Sequence, residues 1–335
     1  MSASWLPSLP ESALGGVVAI GNFDGVHRGH ECLLRLLKKN AEQWRAPTVA
    51  VTFNPPPIKL LSPGNASPSL TTIPRRIELL KDAGADYVVV LQTNFELLNL
   101  DAHSFFDQLL LQGLKIRGLI EGPNFRFGKN RGGDVGLLKQ LCSNNGIMFQ
   151  VVEPELCDGE WISSTRIRQT IDAGNIRLAN QLLTTPYRIS GIVSLGAQRG
   201  RTLGFPTANL EDIPVQVPAV GVYAARVVAV SSNVKITTPS QSIDASNHQE
   251  QNRERLIGKP VALHIGPNPT FGENARKVEA HILHFSGDLY GCDLEIEIID
   301  NIRSVTKFDS LEALKNQLNQ DVALVDLIVK QGIKK

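Results

Sequence analysis

At 335 residues, 42% hydrophobic and 20% charged, the chain is long enough for two ordinary domains and has the composition of a folded globular protein rather than a disordered one. Thirty-four basic residues against thirty-three acidic ones leave a formal net charge of +1, so no global field steers it to nucleic acid or to an anionic membrane. Cys32, Cys142, Cys157 and Cys292 lie far apart with no C-x-x-C pair, which argues against a zinc site or a disulfide framework and fits a reducing cytoplasm. The opening stretch "MSASWLPSLPESALGG" has neither a basic nor an apolar leader pattern, so the expectation is a cytoplasmic protein without a membrane span.

Up to about residue 185 short apolar runs alternate with amphipathic stretches. "VVAI" (17–20) leads to "HECLLRLLKKNAEQW", where Leu33, Leu34, Leu37 and Ala41 share a helical stripe. There follow "TVAVTF" (48–53), a helix near "TIPRRIELLKDAG", "DYVVVL" (86–91), a helix at "DAHSFFDQLLLQG", the strand "IRGLIEG", a helix in "DVGLLKQLCSNNG", the strand "MFQVVEP", and a helix from Ser163 through Asp172. Such repeated β-α units predict an α/β domain with an open, mostly parallel sheet and helices on both faces.

Beyond "LLTTPYR" the texture changes. The runs "YRISGIVSL", "GVYAARVVAV", "KPVALHIG", "RKVEAHILHF" and "DLEIEIID" are β-type, with Gly and Pro between them, and only "SLEALKNQLNQDVALVDLIVK" is plainly helical. This predicts a small antiparallel β-barrel with a C-terminal helix, and a boundary near 184–187. The domains are thus 1–185 and 186–335, and the polar stretch 231–255 reads as a surface insertion.

Four segments stand out for their chemistry. In "GNFDGVHRGH" (21–30) a strand, a Gly-rich turn and a helix start place backbone N–H groups and the positive end of a helix dipole where phosphates bind. His27 and His30 can both face such a ligand, where an imidazolium neutralises charge on a phosphate, and Asp24 suits either a helix cap or a substrate contact. In "WISSTRIR" (161–168), Ser163, Ser164 and Thr165 sit at a helix N-terminus, and Arg166 or Arg168 offers a fork to phosphate oxygens. In the β half, "KVEAHIL" sets Glu279 on the strand face opposite Val278 and Ala280. "GAQRGRTLGFPTANL" (196–210) stands out for its Gly, Pro and polar residues beside a strand.

"GNFDGVHRGH" resembles the signature of the nucleotidylyltransferase superfamily, and in particular its flavin-adenylating branch. That resemblance implies a Rossmann-like nucleotidylyltransferase domain with Gly21, Phe23, Asp24, His27, Gly29 and His30 around ATP. "EGPNFRFGKNRGGD" (121–134) resembles the family's G-x-[DN]-F-x-F-G, with Asn124 at a position often held by Asp, and "ISSTRIR" resembles its I-S-S-T-x-[IV]-R. "TFNPPP" (52–57) stands where the family has T-F-[DE]-P-[HQ]-P. Asn54 replaces the usual acid and Pro56 the frequent His, so Asn54 is expected only to contact substrate. "GFPTAN" resembles the riboflavin kinase motif, which implies Thr207 and Asn209 as ligands of magnesium and phosphate, a nucleotide flap from Gly200, Arg201, Gly204 and Pro206 with Arg199 nearby, and Glu279 as catalytic base. Taken together, the motifs resemble the prokaryotic bifunctional riboflavin kinase/FAD synthetase family. This implies ATP as co-substrate, Mg²⁺ in both steps, riboflavin, FMN and FAD as the other ligands, no nucleic-acid partner, and a monomer or weak homo-oligomer. A kinase with an inactive N-terminal domain is the alternative, motivated by "TFNPPP".

Overall fold

The computed structural model describes residues 4–196, 200, 203–231, 254–268, 270 and 273–332. Arg199, Arg201 and residues 232–253 of the polar insertion therefore lie outside the described residues. Contacts divide the chain into two units, Met1–Ser164 and Thr165–Lys335.

The first unit holds β1 (Val17–Ile20), α1 (Arg28–Trp44), β2 (Thr48–Asn54), α2 (Pro57–Leu61), α3 (Ile73–Asp82), β3 (Tyr87–Gln92), α4 (Phe95–Leu98) and α5 (Ala102–Phe105), which runs into a π-helical stretch, Phe106–Gly113. It continues with β4 (Gly118–Glu121), a two-stranded ribbon of β5 (Arg126–Phe127) and β6 (Gly133–Asp134), then α6 (Val135–Asn144), β7 (Met148–Val151), and a second ribbon of β8 (Leu156–Cys157) and β9 (Glu160–Trp161). Five strands form one parallel sheet in the order β3-β2-β1-β4-β7.

Alternation along β1 shows why the sequence predicts helices on both faces. Val17 and Ala19 pack with Leu34 and Leu37 of α1 and Leu79 and Leu80 of α3, whereas Val18 and Ile20 pack with Phe106, Leu109 and Leu138 on the opposite side. A strand buried on both faces needs a continuous apolar run, and "VVAI" is one.

Chain order reverses between β1 and β4, since the chain lays β2 and β3 on one side of β1 before crossing to the other. The ladders differ there. β1 is registered with β2 from Val17↔Thr48 to Ile20↔Val51, and β4 with β7 from Gly118↔Met148 to Glu121↔Val151. Between β1 and β4 the register covers only Val17↔Gly118 and Val18↔Leu119.

The second unit contains nearly all of α7 (Ser164–Asp172), which begins at the division, then α8 (Ile176–Leu182), β10 (Arg188–Ser194), β11 (Ala208–Glu211), β12 (Gly221–Val230), β13 (Pro260–Asn268), β14 (Glu273–Ile282), β15 (Asp293–Arg303) and α9 (Leu311–Gly332). Its six strands close into an antiparallel barrel in the order β10-β11-β14-β13-β12-β15 around Val193, Leu210, Leu263, Ala280 and Ile296. Five of them follow the β-type runs of the sequence, and the sixth, β11, lies inside the "PTAN" segment. Val325 and Val329 of α9 pack on Ala224 and Leu283, and Asp321 accepts from Arg303 Nε and Nη2 at 2.9 and 2.7 Å. The short helices are tied in as well. Gln216 Nε2 donates to Arg168 O and Asp172 Oδ1, and Asn180 Nδ2 donates to Ile298 O and Ile299 O. Among the described residues no helix is long and apolar enough to cross a membrane.

Candidate active sites

In the first unit, the loop Gly21–His27 leaves the carboxyl end of β1, Asn54 ends β2, and Gly122–Asn124 follows β4. Because β2 and β4 flank β1, three of the motifs read from sequence meet at the carboxyl edge of the sheet, beside the point where strand order reverses. Asn54 and Asn124 are both exposed there.

The loop is a tight, left-handed path. Phe23, Gly25 and Val26 have φ of 46°, 86° and 39°, and such values in a Val are held only where the surroundings over-determine them. What holds this loop is Asp24. Its buried carboxylate accepts from Leu70 N–H at 2.9 Å, Thr71 N–H and the Thr71 hydroxyl at 3.1 Å each, and Arg76 Nη2 at 2.8 Å, while Gly25 N–H donates to Thr71 Oγ1 at 3.2 Å. Ser164 Oγ donates to Asp24 O at 2.8 Å, which fixes the start of α7 on the same loop. Asp24 does not cap α1: the N-cap is His27. An acid four residues before the helix is too far out for that role, and Arg76, on the Leu79–Leu80 stripe of α3, supplies its charge partner.

His27 and His30 form a reciprocal cap. His30 N–H donates to His27 Nδ1 at 3.4 Å and His27 N–H donates to His30 Nδ1 at 3.3 Å, with the rings stacked at a centroid distance of 3.6 Å and 18° between planes. Phe23 meets His30 edge-on at 5.1 Å. A ring nitrogen that accepts carries no proton, so both imidazoles are Nε2–H tautomers. Burial lowers the His27 pKa to about 4 despite the nearby Asp24 and Glu155 carboxylates, and burial, His27 and Arg76 together hold His30 well below the ordinary histidine range. The expectation of an imidazolium is therefore corrected: at neutral pH these are neutral N–H donors. Gly29 is needed for the stack, since a Cβ there would lie 3.2 Å from His27 Nδ1 and Cε1.

Arg28, between the motif's histidine and glycine, pairs with Glu155, which also accepts from Cys32 Sγ at 2.9 Å. Burial pushes the Glu155 carboxyl up, but the hydrogen bonds from Cys32 and Arg28 and the arginine charge outweigh it and leave it below its usual range. The sequence gives no sign of this pair, whose members are 127 positions apart. Ser163 precedes α7 and Ser164 opens it, whereas Thr165, Arg166 and Arg168 continue that helix on the second unit's side of the division.

In the barrel, register brings the second set together. Asn209 on β11 is directly opposite Glu279 on β14, and Glu279 is in turn opposite His264 on β13. Glu279 and Asn209 are half-buried, and burial lowers the His264 pKa against the raising effect of the Glu279 charge. Gly196 lies against Asn209: a Cβ there would come within 1.9 Å of Asn209 Nδ2. A Cβ at Gly200 would sit 2.2 Å from Phe205 O and 3.5 Å from Thr207 Oγ1, and Phe205 N–H donates back to Gly200 O at 2.8 Å. Gly204 takes φ of 90°, and His281 Nδ1 donates to Pro206 O at 2.7 Å. Beside Pro206 and Thr207 opens a cavity of about 370 Å³, walled by Val193, Ile282, Phe285 and Leu289.

A parallel-sheet unit with a tight Gly-rich loop at the carboxyl edge of its sheet, followed by a closed barrel that sets Glu279 opposite Asn209, fits an enzyme that transfers phosphoryl and nucleotidyl groups. The FAD synthetase family model matches residues 9–166 and the riboflavin kinase model residues 183–329. The chain is 35% identical over 310 residues to the bifunctional riboflavin kinase/FMN adenylyltransferase of Pseudomonas fluorescens, covering 92% of this chain and 91% of that protein. It is 33% identical over 307 residues to the Escherichia coli K12 protein of the same name, with 92% and 90% covered. A solved Streptococcus pneumoniae structure, named a macrolide-efflux protein, shares the fold with a TM-score of 0.76 and 29% identity over 95% of both chains. The chain belongs to the bifunctional riboflavin kinase/FAD synthetase family, with ATP as a substrate of both activities. Because both halves match, the alternative of a kinase with an inactive first domain has no support.

Proposed function

We propose that the two reactions run on the residues assembled above, the barrel converting riboflavin to FMN and the parallel-sheet unit converting FMN to FAD. The cross-strand pair of Asn209 and Glu279 carries this reading, because it sets a proton acceptor next to an amide oxygen able to hold the cation that accompanies the phosphates.

A ribityl hydroxyl is a poor nucleophile, and Glu279 accepts its proton as the oxygen bonds to the γ-phosphorus of ATP and ADP leaves, a contribution worth roughly 10²–10⁴-fold. The cavity beside Thr207, lined in part by Pro206, takes the nucleotide base, and the segment from Gly200 through Gly204 to Pro206 is the nucleotide flap. Thr207 Oγ1 and the Asn209 amide oxygen would hold Mg²⁺, which supplies charge neutralisation at the phosphates. The donors fit: they are hard oxygens, and phosphate and water oxygens would complete the shell.

Adenylylation needs no base. The FMN phosphate is already largely dianionic at neutral pH, and one of its oxygens attacks the α-phosphorus of ATP while the bond to the β-phosphate oxygen breaks and pyrophosphate leaves. Nε2–H of His27 and of His30 donates to phosphate oxygens as charge develops there, with Gly21, Phe23 and Gly29 shaping the approach, Ser163 and Ser164 lending donors, and Asp24 holding the loop. Asn54 and Asn124 contact FMN from β2 and β4. We place the enzyme in the cytoplasm as a monomer or weak homo-oligomer without nucleic-acid partners.

Chromatography of products from riboflavin, magnesium and ATP over time tests the scheme. FMN should rise first and FAD follow at its expense, and FAD appearing at the wild-type rate in a Glu279→Ala variant given riboflavin, magnesium and ATP without added FMN would refute the role of Glu279.

A further inference from the structure

Glu121 is a fully buried acid that the two reactions leave without a task. It ends β4, and its Oε1 accepts from Ile20 N–H, at the end of β1, at 2.8 Å. That bond lies where the β1–β4 register has already stopped, although β1 continues paired to β2, and β4 to β7, up to these same residues. The two strands part at their carboxyl ends, and the Glu121 side chain spans the gap that the main chain leaves. Immediately after Ile20 comes the Gly21–His27 loop, so whatever fixes Ile20 fixes the height at which the loop and both imidazoles stand.

We propose that Glu121 is a positioning residue for adenylylation, a side-chain rung between β1 and β4 that holds the phosphate loop while leaving the crevice between the strands open. Burial supports this, pushing its carboxyl well above the usual carboxylate range against the opposing hydrogen bond from Ile20. The shift favours the protonated form, which repels a triphosphate less than a carboxylate at the base of the crevice would. An amide should serve as well as the acid, since only an acceptor of the right length is required.

The proposal rests on the bifunctional reading, and the full-length enzyme separates the two: a wild-type chain that makes no FAD would count against the reading, whereas Glu121 is judged by variants against an active wild type. Glu121→Met keeps the volume and removes the acceptor. It should lower kcat for FMN-to-FAD conversion about ten- to a hundredfold with KM for ATP within about threefold, because misplacement rather than lost binding is the defect. Riboflavin phosphorylation by the same sample should stay within about twofold, and Glu121→Gln should keep adenylylation within about twofold. Amide exchange in the peptide spanning residues 17–27 should quicken in the Met variant while that of β3 does not. Full adenylylation in Glu121→Met, or a loss in Glu121→Gln equal to that in Met, would overturn the proposal. If the Met variant does not fold, Glu121→Asp decides: one methylene shorter, it should lose kcat as Met would, and normal turnover would refute the rung.

Discussion

Arg76→Met tests the anchor of the phosphate loop. Arg76 and Asp24 are 1% and 4% exposed and meet at 2.8 Å, so the substitution leaves a buried carboxylate without its arginine partner. Breaking one partner of such a pair costs about 3–5 kcal/mol. For a unit spanning Met1–Ser164, an unfolding entropy of roughly 2.1 cal/mol/K per residue turns that into a fall in midpoint of about 9–15 °C. Enzyme held briefly at each temperature and then assayed for both activities would show FAD formation lost at the lower temperature and FMN formation retained. The double variant Asp24→Asn, Arg76→Met removes the stranded charge and should recover about half of the loss. A shift below about 2 °C, or a double variant as unstable as the sum of both changes, would refute the view that this pair shapes the loop.

Glu279→Ala should reduce riboflavin phosphorylation by roughly 10²–10⁴-fold with FMN adenylylation nearly unchanged, read by supplying FMN directly. His30→Ala should do the reverse, lowering adenylylation about 10²–10³-fold through loss of one phosphate donor. Gly196→Ala drives a methyl into the Asn209 amide and should impair the kinase alone, measured as ADP release on riboflavin addition. Because the His27 pKa falls from 6.5 to about 4 on folding, the unfolded chain binds more protons between those values. Its contribution is thus lost as pH falls, by about 3 kcal/mol at most. Glu121, raised on folding, favours the opposite slope, so the informative quantity is the difference between wild type and His27→Asn across pH 4–7 in denaturant titrations; identical slopes would refute the burial of His27.

The parallel sheet was legible because each of its strands is a short apolar run, and the turn after β1 because its Gly residues break the apolar pattern between strand and helix. Less was visible where spatial neighbours are remote in sequence. Asp24 reads as a helix cap until Arg76, 52 positions away, is seen to hold it, and the protonation of His27 and His30 depends on burial that no motif encodes. β11 escaped because Ala208–Glu211 has four residues, two of them polar, and becomes a strand only by closing the barrel between β10 and β14. The change of texture near residue 185 marks the first barrel strand, whereas contacts divide the chain at Ser164, because α7 and α8 pack on the barrel through side chains such as Gln216 and Asn180.

That closing strand governs how the kinase site can fail. Asn209 is a stave of the barrel as well as a proposed ligand of the site, and its distance from Glu279 is set by neighbouring backbones, with Cβ atoms about 4.5–5.5 Å apart. Rearranged side chains elsewhere cannot stretch that spacing by degrees. It changes only by a slip of one residue, which would turn the amide to the far side of the wall, so damage to this wall should abolish phosphorylation outright rather than slow it in steps.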